Sequence, residues 1–145
     1  MEGLNKLVEL EYINLAVNSI KKIEGVKRCE SLNKLDLTLN FIDIEDLRES
    51  LENLEWCPHM TDLYLTGNPC CDWPNYREYT IAKVETLMKL DGEEIEKSHR
   101  LQAKQKLAKL EYELDVLAEQ STMKKEQKRK EGHHDPDEWS AENRW

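Results

Sequence analysis

The chain has 145 residues, which is enough for one domain with an extension. Charged residues make up 35% of it and the net charge is −9, so sequence-independent binding to nucleic acid phosphates is disfavoured. No apolar run approaches the roughly 20 residues of a membrane-spanning helix, and the first residues lack the apolar block of a secretion signal. We therefore expect neither a nucleic acid nor a membrane as partner.

Three segments share one pattern of apolar residues followed by asparagine. The pattern Leu-x-x-Leu-x-Leu-x-x-Asn is complete in residues 32–40, and related copies span residues 10–18 and 60–68. The asparagines Asn18, Asn40 and Asn68 stand 22 and 28 residues apart. This pattern is the signature of a leucine-rich repeat. Each copy predicts a short strand with alternate residues buried, and a turn whose backbone is bonded by the asparagine amide.

Stacked units of this kind share one core, because a single unit cannot bury its own leucines. We predict an α/β fold, a leucine-rich-repeat solenoid with a parallel concave β-sheet, over residues 1–67. In this prediction, Leu4 and Leu7 point inward from the back half of an earlier, partial repeat. No N-terminal capping unit precedes it, so we expect the chain to be a fragment or a shortened relative of a longer array.

Helices and a cap are predicted after the second strand. Apolar residues spaced three and four apart over residues 44–54 predict a helix, and Asp43 is its expected N-cap. Residues 68–97 predict a C-terminal cap, because bulky Trp and Tyr side chains replace the repeat pattern there. A helix should open at Tyr76 and continue towards Leu90, ahead of a turn at Asp91-Gly92.

Residues 98–131 predict a protruding charged helix that begins at Ser98. Its leucines form a seam two heptads long, at Leu107, Leu110, Leu114 and Leu117. Such a helix could pack on the cap, pair with a partner helix or stand partly solvated. The basic run 124–130 has five basic residues in seven and fits a solvated face, a localisation signal or a contact with an acidic partner. Residues 132–145 are expected to be a disordered tail.

Residues that could carry chemistry are scattered. The cysteines Cys29, Cys57, Cys70 and Cys71 lack metal-ligand spacing, which favours reduced thiols, and we expect Cys29 to pack in the core. The pair His133-His134 lies in the acidic tail without a fixed geometry. No catalytic motif occurs. We expect a protein that is not an enzyme and that has no cofactor and no metal.

The exposed side of the predicted sheet offers a binding surface. Alignment on the asparagines puts Tyr12, Lys34 and Asp62 in one row, with Lys34 and Asp62 as a possible ion pair. Asn14, Asp36 and Tyr64 form the second row, and Ala16, Thr38 and Thr66 the third. These mixed aromatic and polar rows are typical of protein recognition, although a plain solvated face is the alternative. The predicted partner-binding residues, here named the polar sheet face, are Tyr12, Asn14, Lys34, Asp36, Thr38, Asp62, Tyr64 and Thr66. The pair Asp36 and Tyr64 could together receive a basic side chain of the partner.

Residues 4–103 resemble one family. The telling blocks are LDLTLNFI, the stretch from Gly67 to Glu78 and the block from Leu90 to Ile95. They are similar to those of the leucine-rich-repeat dynein axonemal assembly factors, the tilB homolog or seahorse family. The wider cap pattern is shared with a spliceosomal A-prime protein, a phosphatase-1 regulator and other ciliary proteins.

The resemblance implies a cytoplasmic scaffold that helps to pre-assemble axonemal dynein arms for cilia or flagella. The partners it implies are dynein chains, chaperones and other assembly factors. Family members carry further N-terminal repeats and a small β-sandwich, and neither is found in this sequence. The alternative is a nuclear leucine-rich-repeat module that binds partners in the manner of the spliceosomal or phosphatase-regulating proteins.

Overall fold

The computed structural model describes residues 8–133, with side chains described through residue 128. In this part of the chain the strands are β1 (Tyr12–Asn14), β2 (Lys34–Asp36), β3 (Asp62–Tyr64), β4 (Lys89–Leu90) and β5 (Glu93–Glu94). The α-helices are α1 (Ile44–Asn53), α2 (Tyr76–Lys83), α3 (Lys97–Gln105) and α4 (Leu107–His133). Short 3-10 helices span Leu54–Trp56 and Pro69–Asp72. Among these described helices, none combines the length and the apolar character needed to cross a bilayer.

One sheet contains all five strands in chain order. β1 to β4 are parallel neighbours, and β5 pairs with β4 in the antiparallel direction. The central residues Ile13, Leu35 and Leu63 of the first three strands are buried, and their neighbours on each side are exposed or half-buried. The fold is therefore mixed α/β with a mainly parallel sheet, and the three predicted parallel strands are confirmed.

The core lies between this sheet and the helices that return behind it. Leu35 and Leu37 are both 0% exposed, as the repeat pattern predicts. Cys29 and Cys57 are buried in the same core, and burial raises the pKa of the Cys57 thiol to about 11. The helix α1 begins where predicted, because the Asp43 carboxylate accepts a hydrogen bond from the backbone N–H of Ile44 at 2.7 Å.

Two buried asparagines connect neighbouring repeats. Asn40 donates through Nδ2 to the carbonyl oxygens of Leu37, at 2.9 Å, and Leu15, at 3.0 Å, and its Oδ1 accepts from the Ile20 N–H at 3.0 Å. Asn68 repeats this arrangement one unit later. Within the described residues, Asn18 bonds only in its own turn, and it is exposed. The predicted role of the asparagine is confirmed, and it extends from the turn to the preceding repeat.

The residue before each asparagine adopts a left-handed backbone conformation. The φ angles are +57° at Val17, +58° at Leu39 and +83° at Gly67. Only glycine adopts this region without steric cost, so the first two repeats hold backbone strain that the third avoids. Leu39 also closes the space beside Gly67, where an added Cβ would lie 2.6 Å from Leu39 Cδ2.

The cap contains the predicted aromatic residues but not the predicted length of helix. The rings of Trp73 and Tyr79 are buried, and their centroids lie 5.7 Å apart. The helix α2 ends at Lys83, and Leu90 lies in the strand β4 rather than in a helical turn. The hairpin of β4 and β5 extends the sheet by two strands that the periodicity did not predict, because each has only two residues.

The helical extension does not protrude, so that prediction was wrong. It is broken at Lys106, and its longer part, α4, lies against α1 and α2. Leu110 and Leu114 of the predicted seam are buried, since the chain supplies its own partner surface. The expected N-cap at Ser98 was also wrong, because α3 begins at Lys97 after Glu96.

Polar contacts hold α4 in place along its length. Glu113 accepts hydrogen bonds from Trp73 Nε1 at 2.6 Å and from Asn75 Nδ2 at 2.7 Å. Glu111 Oε2 lies 2.8 Å from Lys83 Nζ and 3.2 Å from Arg48 Nη2. The hydrogen bond from Lys83 is the main reason that the pKa of Glu111 is lowered. These contacts are charge-assisted and partly shielded from water, so they fix the helix direction as well as its position.

Some predictions fall outside the described residues. These are the inward-facing Leu4 and Leu7 and the part of the expected tail from residue 134 onward. The helix α4 continues through residue 133, so residues 132 and 133 of the expected tail are helical. The division into repeats, cap, extension and tail stays a prediction.

Candidate functional site

The register of the parallel strands brings the predicted rows together. Tyr12 lies beside Lys34 and Lys34 beside Asp62 in the first row, and Lys89 of β4 extends this row by one position. In the second row, Asn14 lies beside Asp36 and Asp36 beside Tyr64. Neighbouring parallel strands are about 4.8 Å apart, so these side chains can contact one partner together.

The third row continues the same ladder beyond the assigned strands. The Val17 N–H donates to the Thr38 carbonyl oxygen at 2.8 Å, and the Leu39 N–H donates to the Thr66 carbonyl oxygen at 2.9 Å. These hydrogen bonds keep Ala16, Thr38 and Thr66 in line. All eight residues of the polar sheet face therefore lie on the sheet surface opposite the core.

Lys34 is held between two aromatic rings. Its ammonium group lies 5.0 Å from the ring centroid of Tyr12 and 5.5 Å from that of Tyr64. A cation at this distance is attracted by the negative face of each ring. The possible ion pair of Lys34 with Asp62 is not formed, and the ammonium group lies between the two rings instead. The face of Tyr64 is thus shared with a cation of its own chain.

Two polar residues of the second row bond to their own backbone. Asp36 Oδ1 accepts from the Thr38 N–H at 3.0 Å and from Thr38 Oγ1 at 2.6 Å. Asn14 Oδ1 accepts from the Ala16 N–H at 3.0 Å. Both side chains close the turn that ends their strand. Asp36 is therefore partly engaged within the chain, which makes it a weaker candidate for partner binding than its position in the row suggests.

Other polar groups of the polar sheet face are unengaged. Within the described residues, the carboxylate of Asp62, the hydroxyls of Tyr12 and Tyr64 and the hydroxyl of Thr66 have no hydrogen bond or ion pair. Tyr12 is 46% exposed. This combination of large aromatic side chains with polar groups that can bond a partner is the chemistry that protein interfaces use.

Asp91 plays a part that sequence reasoning missed. It lies in the turn after β4 at a φ of +53°, and its Oδ1 accepts from the Leu65 N–H at 2.6 Å. Its Oδ2 accepts from the Tyr76 hydroxyl at 2.8 Å, and burial together with this carboxylate raises the pKa of Tyr76. The equivalent N–H groups of Leu15 and Leu37 bond backbone carbonyl oxygens of the next strand, so in the third repeat the Asp91 carboxylate takes the place of that carbonyl. In the sequence, Asp91 is noted only as part of the Asp91-Gly92 turn, which does not indicate these bonds.

Residues with metal-binding or nucleophilic chemistry are not brought together. Among the described side chains, residues 8–128, no group of three or more His, Cys, Asp or Glu could hold a metal ion. Cys70 is buried in the core and Cys71 is half-buried, with its sulfur 2.9 Å from the Leu65 carbonyl oxygen.

No family model matches the chain, whereas individual relatives do. Dynein axonemal assembly factor 11 of Mus musculus is 36% identical over 115 residues, which cover 79% of this chain and 24% of that protein. Protein tilB of Drosophila melanogaster is 48% identical over 111 residues, which cover 75% of this chain and 27% of that protein. This chain thus spans about a quarter of the length of these curated relatives.

A solved structure shares the fold. A chain in the structure of Chaetomium Mex67:Mtr2 subunits superposes with a TM-score of 0.51 at 24% identity, over 68% of this chain and 64% of that chain. This match shows the fold alone, whereas the sequence relatives carry the names dynein axonemal assembly factor 11 and protein tilB. The predicted resemblance is thereby confirmed, and this chain is a relative of the leucine-rich-repeat dynein axonemal assembly factors of the tilB type.

Proposed function

We propose that this chain is a leucine-rich-repeat solenoid that acts as a non-enzymatic scaffold for binding other proteins. In this proposal it helps to pre-assemble axonemal dynein arms in the cytoplasm, for use in cilia or flagella. The observation that carries the proposal is the alignment of the polar sheet face, in which three strands present aromatic and charged side chains in register. The names of the relatives support the assembly role.

The opposite side of the molecule is less suited to a partner at the repeats. There α1 and α2 are covered by α4, whose leucines Leu110 and Leu114 are buried. The carboxylates of Glu111 and Glu113 are already bonded to the repeats and the cap. A partner would have to displace α4 to reach that side, whereas none of the described elements covers the polar sheet face.

The most suitable binding residues are those with free polar tips. Asp62 and Tyr64 lie two residues apart on the same face of β3, and Tyr64 has a large ring as well as a hydroxyl. Loss of an interface tyrosine commonly costs more than about 1 kcal/mol of binding free energy. Replacement of Asp36 would instead also open the turn at Thr38, so it is a poorer test of binding.

The test is affinity capture from an extract of ciliated cells with the full chain as bait. We expect axonemal dynein chains, chaperones or other assembly factors among the captured proteins. The double change Asp62→Ala with Tyr64→Ala should reduce their capture by about tenfold, which corresponds to about 1.4 kcal/mol. Circular dichroism should show that the variant stays folded.

The matched control is Asp72→Ala with Tyr112→Ala. It removes the same two residue types from exposed positions in the cap and on α4. Capture should be unchanged in this control. Equal loss in both variants, or no loss in either, would contradict the polar sheet face as the binding site. Capture of small nuclear ribonucleoproteins without dynein chains would favour the nuclear alternative over the assembly role.

A further inference from the structure

We propose that the outward side of α4 binds a second copy of this chain, so that two α4 helices pair in the antiparallel direction. The outward side has large exposed side chains, with Tyr112 73%, Met123 61% and Val116 36% exposed. This self-association goes beyond the scaffold function and does not use the polar sheet face.

The outward residues of α4 follow a heptad spacing of their own. Positions three and four residues apart along one helix face are occupied by Lys109, Tyr112, Val116, Glu119, Met123 and Glu126. The buried leucines Leu110 and Leu114 lie on the opposite side of the helix. One helix therefore carries two seams, and the inner seam is already used by its own chain.

The outer seam is complementary to itself when the second helix runs in the opposite direction. With a two-fold axis between residues 117 and 118, Lys109 falls opposite Glu126 of the second copy, and Tyr112 falls opposite its Met123. A lysine then meets a glutamate at each end of the interface, and a thioether sulfur meets an aromatic ring inside it. A parallel pair would instead place each lysine against the same lysine.

The charges beside the outer seam do not oppose this pairing. Asp115 is bonded to Arg48 at 2.8 Å, and Glu113 is bonded to Trp73 and Asn75, so both carboxylates are turned towards their own chain. Within the described residues, Lys109 and Glu126 form no ion pair, so each is available to the second copy. Charge complementarity therefore favours a second copy over an unrelated helix.

Glu119 weakens the proposed pair. It lies opposite Val116 of the second copy near the two-fold axis, at a position that is apolar in a stable coiled coil. The two copies of Glu119 also approach each other there. The interface is also only about two heptads long, which is short for a stable coiled coil. We expect a weak dimer with a dissociation constant on the order of 100 µM.

Sedimentation equilibrium of the full chain from about 10 µM to 1 mM tests the proposal. Lys109→Glu alone and Glu126→Lys alone should each raise the dissociation constant about tenfold, because like charges then face each other. The double variant should return it to within about threefold of the original. Glu119→Leu should lower it by about tenfold or more. These exposed helix positions tolerate the changes, and circular dichroism checks folding.

Two controls separate this result from other effects. Lys97→Glu makes the same charge change on α3 and should leave the dissociation constant unchanged. The Asp62→Ala with Tyr64→Ala variant should also leave the dimer intact, so failure of the scaffold proposal would not affect this one. A monomer at 1 mM for both the original chain and Glu119→Leu would overturn the proposal. Single charge reversals without effect, or without rescue in the double variant, would overturn the antiparallel pairing.

Discussion

The side-chain amide of Asn68 donates a hydrogen bond of 2.9 Å to the carbonyl oxygen of Leu37, which lies 31 residues earlier. The same amide group donates to the Leu65 carbonyl oxygen at 2.9 Å, and its oxygen accepts from the Ile42 N–H at 2.9 Å. Asn68 is 2% exposed, so water cannot replace these bonds. One side chain therefore satisfies three backbone groups in two repeats.

Replacement of Asn68 by alanine should destabilise the fold. Three backbone groups would lose a buried partner, and we expect a loss of about 2–4 kcal/mol in the free energy of unfolding. Chemical denaturation monitored by circular dichroism measures this loss. Asn18→Ala is the matched control, because among residues 8–133 Asn18 bonds only to its own exposed turn, and the change should cost less than about 1 kcal/mol. Equal losses in the two variants would contradict the inter-repeat role.

Replacement of Leu37 by alanine tests the core. Leu37 is 0% exposed, so the change removes buried contacts and leaves a cavity, with an expected loss of about 2–5 kcal/mol. Leu101→Ala makes the same change at a position that is 60% exposed and should stay within about 0.5 kcal/mol of the original. Urea denaturation compares both variants with the original chain. A loss in the free energy of unfolding for Leu37→Ala that is no larger than the loss for Leu101→Ala would contradict the burial of Leu37 in the core.

Replacement of Glu113 by alanine should loosen α4. The change leaves the indole N–H of Trp73 and the amide of Asn75 without their acceptor, and bonds to a charged group contribute about 1.5–3 kcal/mol each. Hydrogen exchange of the backbone amides of residues 107–117 should become faster. Glu119→Ala removes the same side chain from an exposed position of α4 and should leave exchange unchanged at concentrations below about 10 µM, at which the chain is monomeric. Unchanged exchange in Glu113→Ala would show that the leucine seam alone holds the helix.

Acid should remove the contribution of Glu111. Its pKa is lowered below the ordinary value of 4.5, chiefly by the hydrogen bond from Lys83 and then by the charges of Lys83 and Arg48, despite the opposing effect of burial. A carboxyl whose pKa is lower in the folded than in the unfolded state stabilises the fold at pH values above its unfolded-state pKa. This stabilisation is lost as the pH falls through its folded-state pKa. Burial raises the pKa of Asp46, which acts in the opposite sense, so total stability is a poor measure.

The stability difference between the original chain and Glu111→Gln isolates this carboxyl. We expect the original chain to be more stable at pH 7, and the difference to shrink below about pH 4.5 because the charge of Glu111 is then lost. Denaturation curves at several pH values from 7 to 3 measure the difference. A difference that stays constant over this range would show that the charge of Glu111 does not stabilise α4.

Val17→Gly should stabilise the fold. Val17 adopts a φ of +57° and is 72% exposed, so the change relieves backbone strain and removes little packing. Strain of this kind costs about 1–3 kcal/mol of stability. Glycine offsets about 0.5–1 kcal/mol of the gain, because it has more conformational freedom to lose from the unfolded chain. The expected gain is about 0.5–2 kcal/mol by urea denaturation. Ala16→Gly introduces glycine one position earlier, at an ordinary φ, and should instead lose about 0.5–1 kcal/mol.

Local features of the sequence determined the repeats. Alternation around Leu35 and Leu63 specified which side of each strand is buried, because successive side chains of a strand point to opposite faces. The asparagine positions specified the turns and hence the register that aligns Tyr12, Lys34 and Asp62. These inferences use only the periodicity of the sequence, so they could be made from the sequence alone.

Contacts between distant residues decided the rest. The leucine seam of α4 is the same whether the helix packs on its own repeats or on another protein, and only the tertiary structure shows Leu110 and Leu114 against the repeats and the cap. The position of Lys34 between Tyr12 and Tyr64 likewise depends on side-chain directions across three strands. The two-residue strand β4 is too short to have a period, so its pairing with β3 depends on the cap. Periodicity reports which faces are apolar, whereas tertiary packing determines what covers them.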